Sequence, residues 1–277
     1  MLSLRRGTLA GAMLVCASAA VAQSVPTEVD KGPNPPMVDP CANLFALVSR
    51  PTVTTSSCAV KPKDALLEFG YVNAATAGSG NSSTLPSAAL RVGLSRNLEA
   101  DALIPTFSRT SAQPVAAGFG DAAAGLKYQF GYSRNSINAV NAFFTGATGA
   151  KAFTGGSGGA TVSYDVSYAL SSKFGLAGTL GYNSFALQGV DSIARRYWSL
   201  NPSIVLANSF QKAIQGYVEF YGATASGPRQ TGRYCFDGGF QGDLSQHLQL
   251  DGSIGTLCTN IVGNSAHYVS FGGAYRL

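Results

Sequence analysis

Side chains that could do chemistry are sparse in this 277-residue sequence: 2 histidines, 14 acidic residues and 5 cysteines, in a chain only 12% charged. Acyl transfer by a hydroxyl nucleophile needs a base within hydrogen-bond reach. On an extended strand every second side chain shares a face, so the pattern to look for is His-x-Ser. His247 is followed two residues on by Gln249 and His267 by Val269, so that pattern is absent. No C-x-x-C occurs, and two histidines do not complete a tetrahedral metal set. Gly118-x-Gly120 lacks the third glycine of a dinucleotide loop, and no G-K-[ST] follows a glycine-rich stretch. The residues therefore point to no enzyme, no metal and no cofactor.

Residues 1–22 carry Arg5 and Arg6 as their only charges, then an apolar stretch, then Ala20-Val21-Ala22. That order is a secretory signal peptide with an A-x-A cleavage site, and it stands outside the fold. Two of the 19 basic residues go with it, leaving 17 against 14 acidic and no basic stripe, so nucleic acid is excluded as a partner. Four cysteines remain, Cys41, Cys58, Cys235 and Cys258, an even number in an exported chain. Three pairings are open. The local one, Cys41 with Cys58 and Cys235 with Cys258, is favoured. Strict alternation would put Cys235 and Cys258 on opposite faces, so their pairing requires a bulge near Gly255.

What positions these residues is a period of two. Val162, Tyr164, Val166, Tyr168 and Leu170 alternate with small or polar residues, and after a short turn so do Phe174, Leu176, Gly178, Leu180 and Tyr182. With Leu170 facing Phe174, the register sets Tyr168 opposite Leu176, Val166 opposite Gly178 and Tyr164 opposite Leu180, and the apolar faces coincide. Similar pairs surround turns near Asn97, Ser133, Ser209 and Gln246. Between the pairs lie longer Gly/Ser/Pro/Ala-rich connections, at 75–86, 109–118, 146–159, 186–195, 224–232 and 259–265. No run of eighteen apolar residues exists beyond the signal, so helices do not span a bilayer here. Short turns at one end, long loops at the other and an even strand count predict an all-β fold: a transmembrane antiparallel up-and-down β-barrel of about 12 strands over residues 64–277. Low charge then has a cause, because one face of every strand meets lipid.

Two stretches add resemblance to pattern. The C-terminal run with Ser270, Gly272, Tyr275 and Leu277 resembles the signal read by the barrel-assembly machinery, departing from it in ending on Leu rather than Phe. Gly118-Phe119-Gly120-Asp121, followed by Gly125-Leu126-Lys127-Tyr128-Gln129-Phe130, resembles the G-x-G-D-x-x-x-G-L-K-Y-x-F strand of the outer-membrane transporters named for the MetA pathway of phenol degradation. The resemblance implies an outer-membrane barrel that admits small, often aromatic or hydrophobic solutes. For Asp121 itself the residues favour a structural role, binding loop backbone.

With the apolar parity facing lipid, the other parity lines the lumen. Arg91 and Asp101 fall opposite each other, as do Asn201 and Glu219, with Tyr217 and Tyr221 beside the latter; Lys127 and Asp165 share the inward side. Such a set either fills and rigidifies the interior or sets the field of a channel, its tyrosines offering apolar faces and a hydroxyl to small solutes. Residues 23–63 do not alternate and form a separate segment. A periplasmic tail is the simplest account of it, and a plug within the barrel is the alternative. The functional expectation is a channel for small solutes in the outer membrane, with membrane lipid and the assembly machinery as partners. A non-transporting structural or adhesin-like barrel is its rival.

Overall fold

A computed structural model describes residues 39–76, 80–111, 115–131, 133, 135–188, 193–259 and 266–277. Residues 1–38, including the expected signal peptide, lie outside the described residues. One helical turn, α1 (Leu44–Leu47), precedes the strands β1 (Ala65–Thr76), β2 (Gly80–Gly93), β3 (Leu98–Ile104), β4 (Phe107–Thr110), β5 (Ala116–Phe119), β6 (Ala123–Phe130), β7 (Ser136–Thr145), β8 (Gly159–Ala169), β9 (Phe174–Gln188), β10 (Ala194–Gln211), β11 (Ile214–Ala223), β12 (Arg233–Asp243), β13 (Leu248–Thr259) and β14 (Ala266–Arg276).

Each strand pairs antiparallel with its neighbours, and β1 pairs with both β2 and β14, so the sheet closes on itself. The fourteen segments make a twelve-strand barrel. β3 and β4 are two lengths of one wall strand, since both pair with β2, and β5 and β6 are two lengths of the next. The break has a chemical cause. Pro86 and Pro105 lack the N–H that a ladder needs, and β2 stops pairing with β3 at Ala88 opposite Ile104, resuming with β4 at Thr84 opposite Ser108.

β8 and β9 pair in the register that alternation dictates, with Tyr168, Val166 and Tyr164 opposite Leu176, Gly178 and Leu180. The outward side chains are apolar: Leu126, Val162, Leu180, Val218, Phe236 and Ile254 are all exposed. Aromatic pairs stand toward both rims of this belt, Tyr182 on Trp198 with ring centroids 5.6 Å apart toward the long loops, and Phe210 near Phe240 at 6.3 Å toward the short turns. An outside of this kind is stable only in an apolar surround.

Two expected loops prove to be strand. β1 and β2 continue to Thr76 opposite Gly80, and β9 and β10 to Gln188 opposite Ala194, so 75–86 and 186–195 are largely wall. The first stretch is mostly Ala, Gly, Ser, Asn and Thr, and in the second Leu187, Val190 and Ile193 stand three apart, so neither alternates, while the backbone ladder runs on regardless of side-chain type.

Candidate functional site: the barrel lumen

The largest departure from an ordinary lumen is what occupies it. Residues 39–64 run inside the barrel, and Cys41, Leu44, Phe45, Ala46, Leu47, Val48, Cys58, Ala59 and Val60 are buried there. Asn43 caps α1, its Oδ1 accepting from Ala46 N at 2.8 Å. Cys41 and Cys58 are joined by a disulfide. With a sequence separation of 17, this staple stabilises the segment by about 3 kcal/mol through loop closure.

Wall side chains hold this inner segment, mainly through its backbone. On the β1–β6 side, Arg91 donates to the carbonyls of Leu47 at 2.5 Å and Cys58 at 3.0 Å, and pairs with Glu68 and Glu99, each at 2.8 Å. Glu68 accepts from the backbone N–H of Ser49 at 3.2 Å and Arg50 at 3.1 Å. Glu99 accepts from Val60 N, and Gln129 Oε1 from Ala59 N at 2.8 Å. Lys127, almost completely buried, pairs with Glu99 at 3.1 Å. Asp101 stands opposite Arg91 in register, 3.9 Å from its Nε, and its Oδ1 makes no hydrogen bond among the described residues.

Across the lumen, Glu219 takes the backbone N–H of Val53 at 2.8 Å and Thr54 at 2.6 Å. Thr54 Oγ1 donates to Ser203 Oγ at 2.8 Å, Thr55 N to Thr179 Oγ1 at 3.0 Å, and Gln241 Nε2 to Arg50 O at 2.6 Å. Arg50 is the segment's own cation on this side, pairing with Asp251 at 3.1 Å and donating to Ser270 Oγ at 3.3 Å. Gly70 and Gly272 face each other across β1 and β14, and a Cβ on either would run into the Arg50 guanidinium. Their lack of a side chain makes Arg50's slot.

The remaining residues singled out by sequence are placed as follows. Asp165 is buried and accepts from Asn141 Nδ2 at 2.5 Å and Thr179 Oγ1 at 2.7 Å. Tyr217 is buried, and its hydroxyl makes no hydrogen bond among the described residues; Tyr221 is half-buried, opposite Ser203 and Cys235. Asn201 and Glu219 do not stand opposite each other. Glu219 pairs in register with Val205, whereas Asn201 meets Gly181 of β9 and accepts from Ser199 Oγ at 2.7 Å. The reason is that β10 runs on past Ser209, whose N–H is taken by Lys173 O at 2.8 Å, so the turn falls at Lys212-Ala213 and shifts the register. Of the C-terminal set, Ser270 is buried against Arg50, while Tyr275 and Leu277 are exposed.

β13 carries one extra residue opposite Cys235, between Thr256 and Thr259, which is the bulge that pairing Cys235 with Cys258 requires. Cys235 is buried and disulfide-bonded, and the side chain of Cys258 lies outside the described residues. Asp121 binds loop backbone, its Oδ1 accepting from Gly149 N at 2.7 Å and Oδ2 from Gly155 N at 2.9 Å. Burial works against the charged form of Asp121, and these two N–H groups outweigh it, holding the carboxyl below the usual aspartate range.

Glu68, Glu99 and Arg50 were not singled out by sequence. The two glutamates carried a signal, for Glu99 shares parity with Asp101 and Glu68 sits between outward Leu67 and Phe69. Arg50 lies in a segment without period and carried none.

No protein-family model and no curated protein matches this sequence. Among solved structures, the chain is similar in fold to the NanC porin, at 7% identity over 76% of this chain and 100% of that one, with a TM-score of 0.51. It also aligns with the KdgM porin in complex with disordered oligogalacturonate, at 10% identity over 75% and 98% of the two chains and a TM-score of 0.47. A third match is the CymD monoaromatic hydrocarbon channel, at 11% identity over 78% and 88% and a TM-score of 0.45. At these identities the likeness is one of fold. The class the fold defines is the closed porin-type β-barrel.

Proposed function

We propose that this protein is an outer-membrane channel for small solutes whose lumen is closed by its own N-terminal segment, residues 39–64. One observation carries the reading. The inward carboxylates and Arg91 bind a separate length of chain through its backbone, not only one another across the wall. A barrel rigidified for its own sake has no need of a second chain segment inside it; a closed pore does. The signal peptide supports export, the apolar belt supports a lipid surround, and the C-terminal run is the part the barrel-assembly machinery would read. The motif at Gly118–Phe130 that resembles the MetA-pathway transporters supports small aromatic or hydrophobic solutes as the class admitted.

The test is single-channel conductance in planar bilayers for the mature chain and for a form lacking residues 39–60. Deletion is expected to raise conductance several-fold, and unchanged conductance overturns closure by this segment. One observation favours the rival, a non-transporting structural barrel: Lys127, Glu99 and Asp165 are essentially inaccessible and have wall partners, Lys127 with Glu99 and Asp165 with Asn141 and Thr179. Swelling of liposomes carrying the deleted form, in phenol and in a monosaccharide, separates the two. Entry of phenol supports the channel and its solute class, entry of the sugar alone supports only the channel, and entry of neither leaves the structural barrel.

A further inference from the structure

The outer face of the wall between β9 and β14 holds a groove of about 800 Å³, within the ~300–1,000 Å³ range of small-molecule sites. Its floor is glycine. Gly216, Gly238 and Gly252 point outward, since they pair in register with the outward Phe240, Val218 and Phe271. Its sides are Phe210, Val218, Phe240, Ile254 and Phe271, all strongly exposed. Three side chains missing from neighbouring positions on an otherwise bulky belt leave a recess rather than a flat wall. In hydrocarbon such a recess fills with whatever surrounds it.

One end of the groove meets the short-turn rim, where Phe174 and Phe210 line it. Lys173 precedes the first and Lys212 lies two residues beyond the second. The two turns adjoin, because Ser209 N donates to Lys173 O. Both lysines are exposed, and neither side chain makes an ion pair or hydrogen bond among the described residues. An apolar slot ending beneath two unpaired cations has the shape and charge of a lipid site.

We infer that this groove holds an acyl chain of one anionic phospholipid, in the leaflet at the short-turn end, with its phosphate against Lys173 and Lys212. The inference rests on the membrane placement proposed above and is independent of whether the lumen conducts. Its test uses the mature full chain, purified in detergent, mixed with phosphatidylglycerol or phosphatidylcholine and weighed by native mass spectrometry. One phosphatidylglycerol per barrel is expected, retained about tenfold over phosphatidylcholine. Lys173→Gln with Lys212→Gln should bring that ratio near one while phosphatidylcholine stays bound as before. Gly252→Leu should lose both lipids: a Cβ there meets nothing nearer than 3.6 Å, so the side chain enters the groove without moving the wall. Heat-modifiable migration on gels confirms that each variant is folded.

No retained lipid in the wild type, equal retention in Gly252→Leu, a lysine pair without effect on the ratio, or a stable mass of two copies in place of lipid each overturns the inference. Lipid binding as described in a protein that conducts neither with nor without residues 39–60 would instead overturn the channel reading and leave this one standing.

Discussion

The two sides of the lumen hold the same inner segment by different means. On the β1–β6 side the wall brings cations and carboxylates together: Arg91 is shared among Glu68, Glu99 and two segment carbonyls, and Lys127 compensates Glu99. On the β10–β14 side the wall contributes Glu219, Asp237 and Asp251, and the cation that pairs with one of them, Asp251, is the segment's own Arg50. Glu219 and Asp237 even face each other in register. Buried charge is tolerated when it is paired and hydrogen-bonded. The first side has wall cations for its carboxylates besides the segment's backbone, whereas on the second Asp251 takes its cation, and Glu219 two backbone N–H groups, from the docked segment. In the channel proposed above, withdrawal would take the cation from Asp251 and two N–H donors from Glu219 while Arg91 and Lys127 stayed in the opposite wall, so the β10–β14 side would become the more negative one, which favours cations.

The largest effect that could break this comparison is at Arg91. Arg91→Ala leaves Glu68 buried with no paired cation and Glu99 with Lys127 alone as its cation, and should cost about 3–5 kcal/mol. Urea unfolding followed by gel migration should show the loss, and Arg91→Lys should recover only part of it, because an ammonium cannot reach two carboxylates and two carbonyls in a planar fork. A loss no larger than that of Glu219→Gln would mean that the two sides are equivalent.

At Glu219 the expected effect is smaller and of another kind. Glu219→Gln keeps one acceptor oxygen for the N–H groups of Val53 and Thr54 and should cost about 1–3 kcal/mol, with most of the change local to the segment. Amide exchange at Val53 and Thr54 should speed up while that of the β1–β6 wall does not. Uniform speeding throughout the barrel would show that the segment and the wall open together.

The sequence made the wall legible and its contents much less so. Alternation is a local property, and Tyr164, Val166 and Tyr168 dictate a register that β8 and β9 adopt. The count of twelve strands and the inward side of Arg91, Asp101, Lys127, Asp165 and Glu219 follow from the same period. The period failed at 75–86, where small and polar residues replace the apolar ones, and at 186–195, where Leu187, Val190 and Ile193 fall three apart. It failed again at the β10–β11 turn, where a backbone bond from Ser209 to Lys173 on a different hairpin carried the strand further and separated Asn201 from Glu219. The docking of residues 39–64 depends on backbone N–H and C=O groups, which every residue has, so side-chain types could not announce it. Even Ser167, by parity an unremarkable lumen residue, donates to Ser57 of the segment at 3.0 Å. Ser167→Arg should accordingly be as damaging as Val166→Arg on the lipid face, at about 2–4 kcal/mol.

Asp121 repeats the device of Glu219 outside the lumen and shows what burial adds. Both are carboxylates that take two backbone N–H groups from a distant stretch of chain, Glu219 from the inner segment and Asp121 from the 146–158 loop. Asp121 is more open to water, so its contribution is screened and should be near the low end for such bonds, about 0.5 kcal/mol. Its carboxyl is held below the ordinary aspartate value, so the stabilisation is complete above that value, near 3.9, and is lost as pH falls through the lower folded value. Amide exchange at Gly149 and Gly155, corrected for intrinsic rates, should therefore show protection at pH 7 that fades below about pH 4. Asp121→Asn should reduce that protection at pH 7 and abolish its dependence on pH, while the segment bonds at Val53 and Thr54 remain unaffected. Protection at Gly149 and Gly155 as strong as that at Val53 and Thr54 would mean that the lumen adds nothing to a carboxylate's hold on backbone, and would remove the basis for treating its acidic side as dependent on the segment.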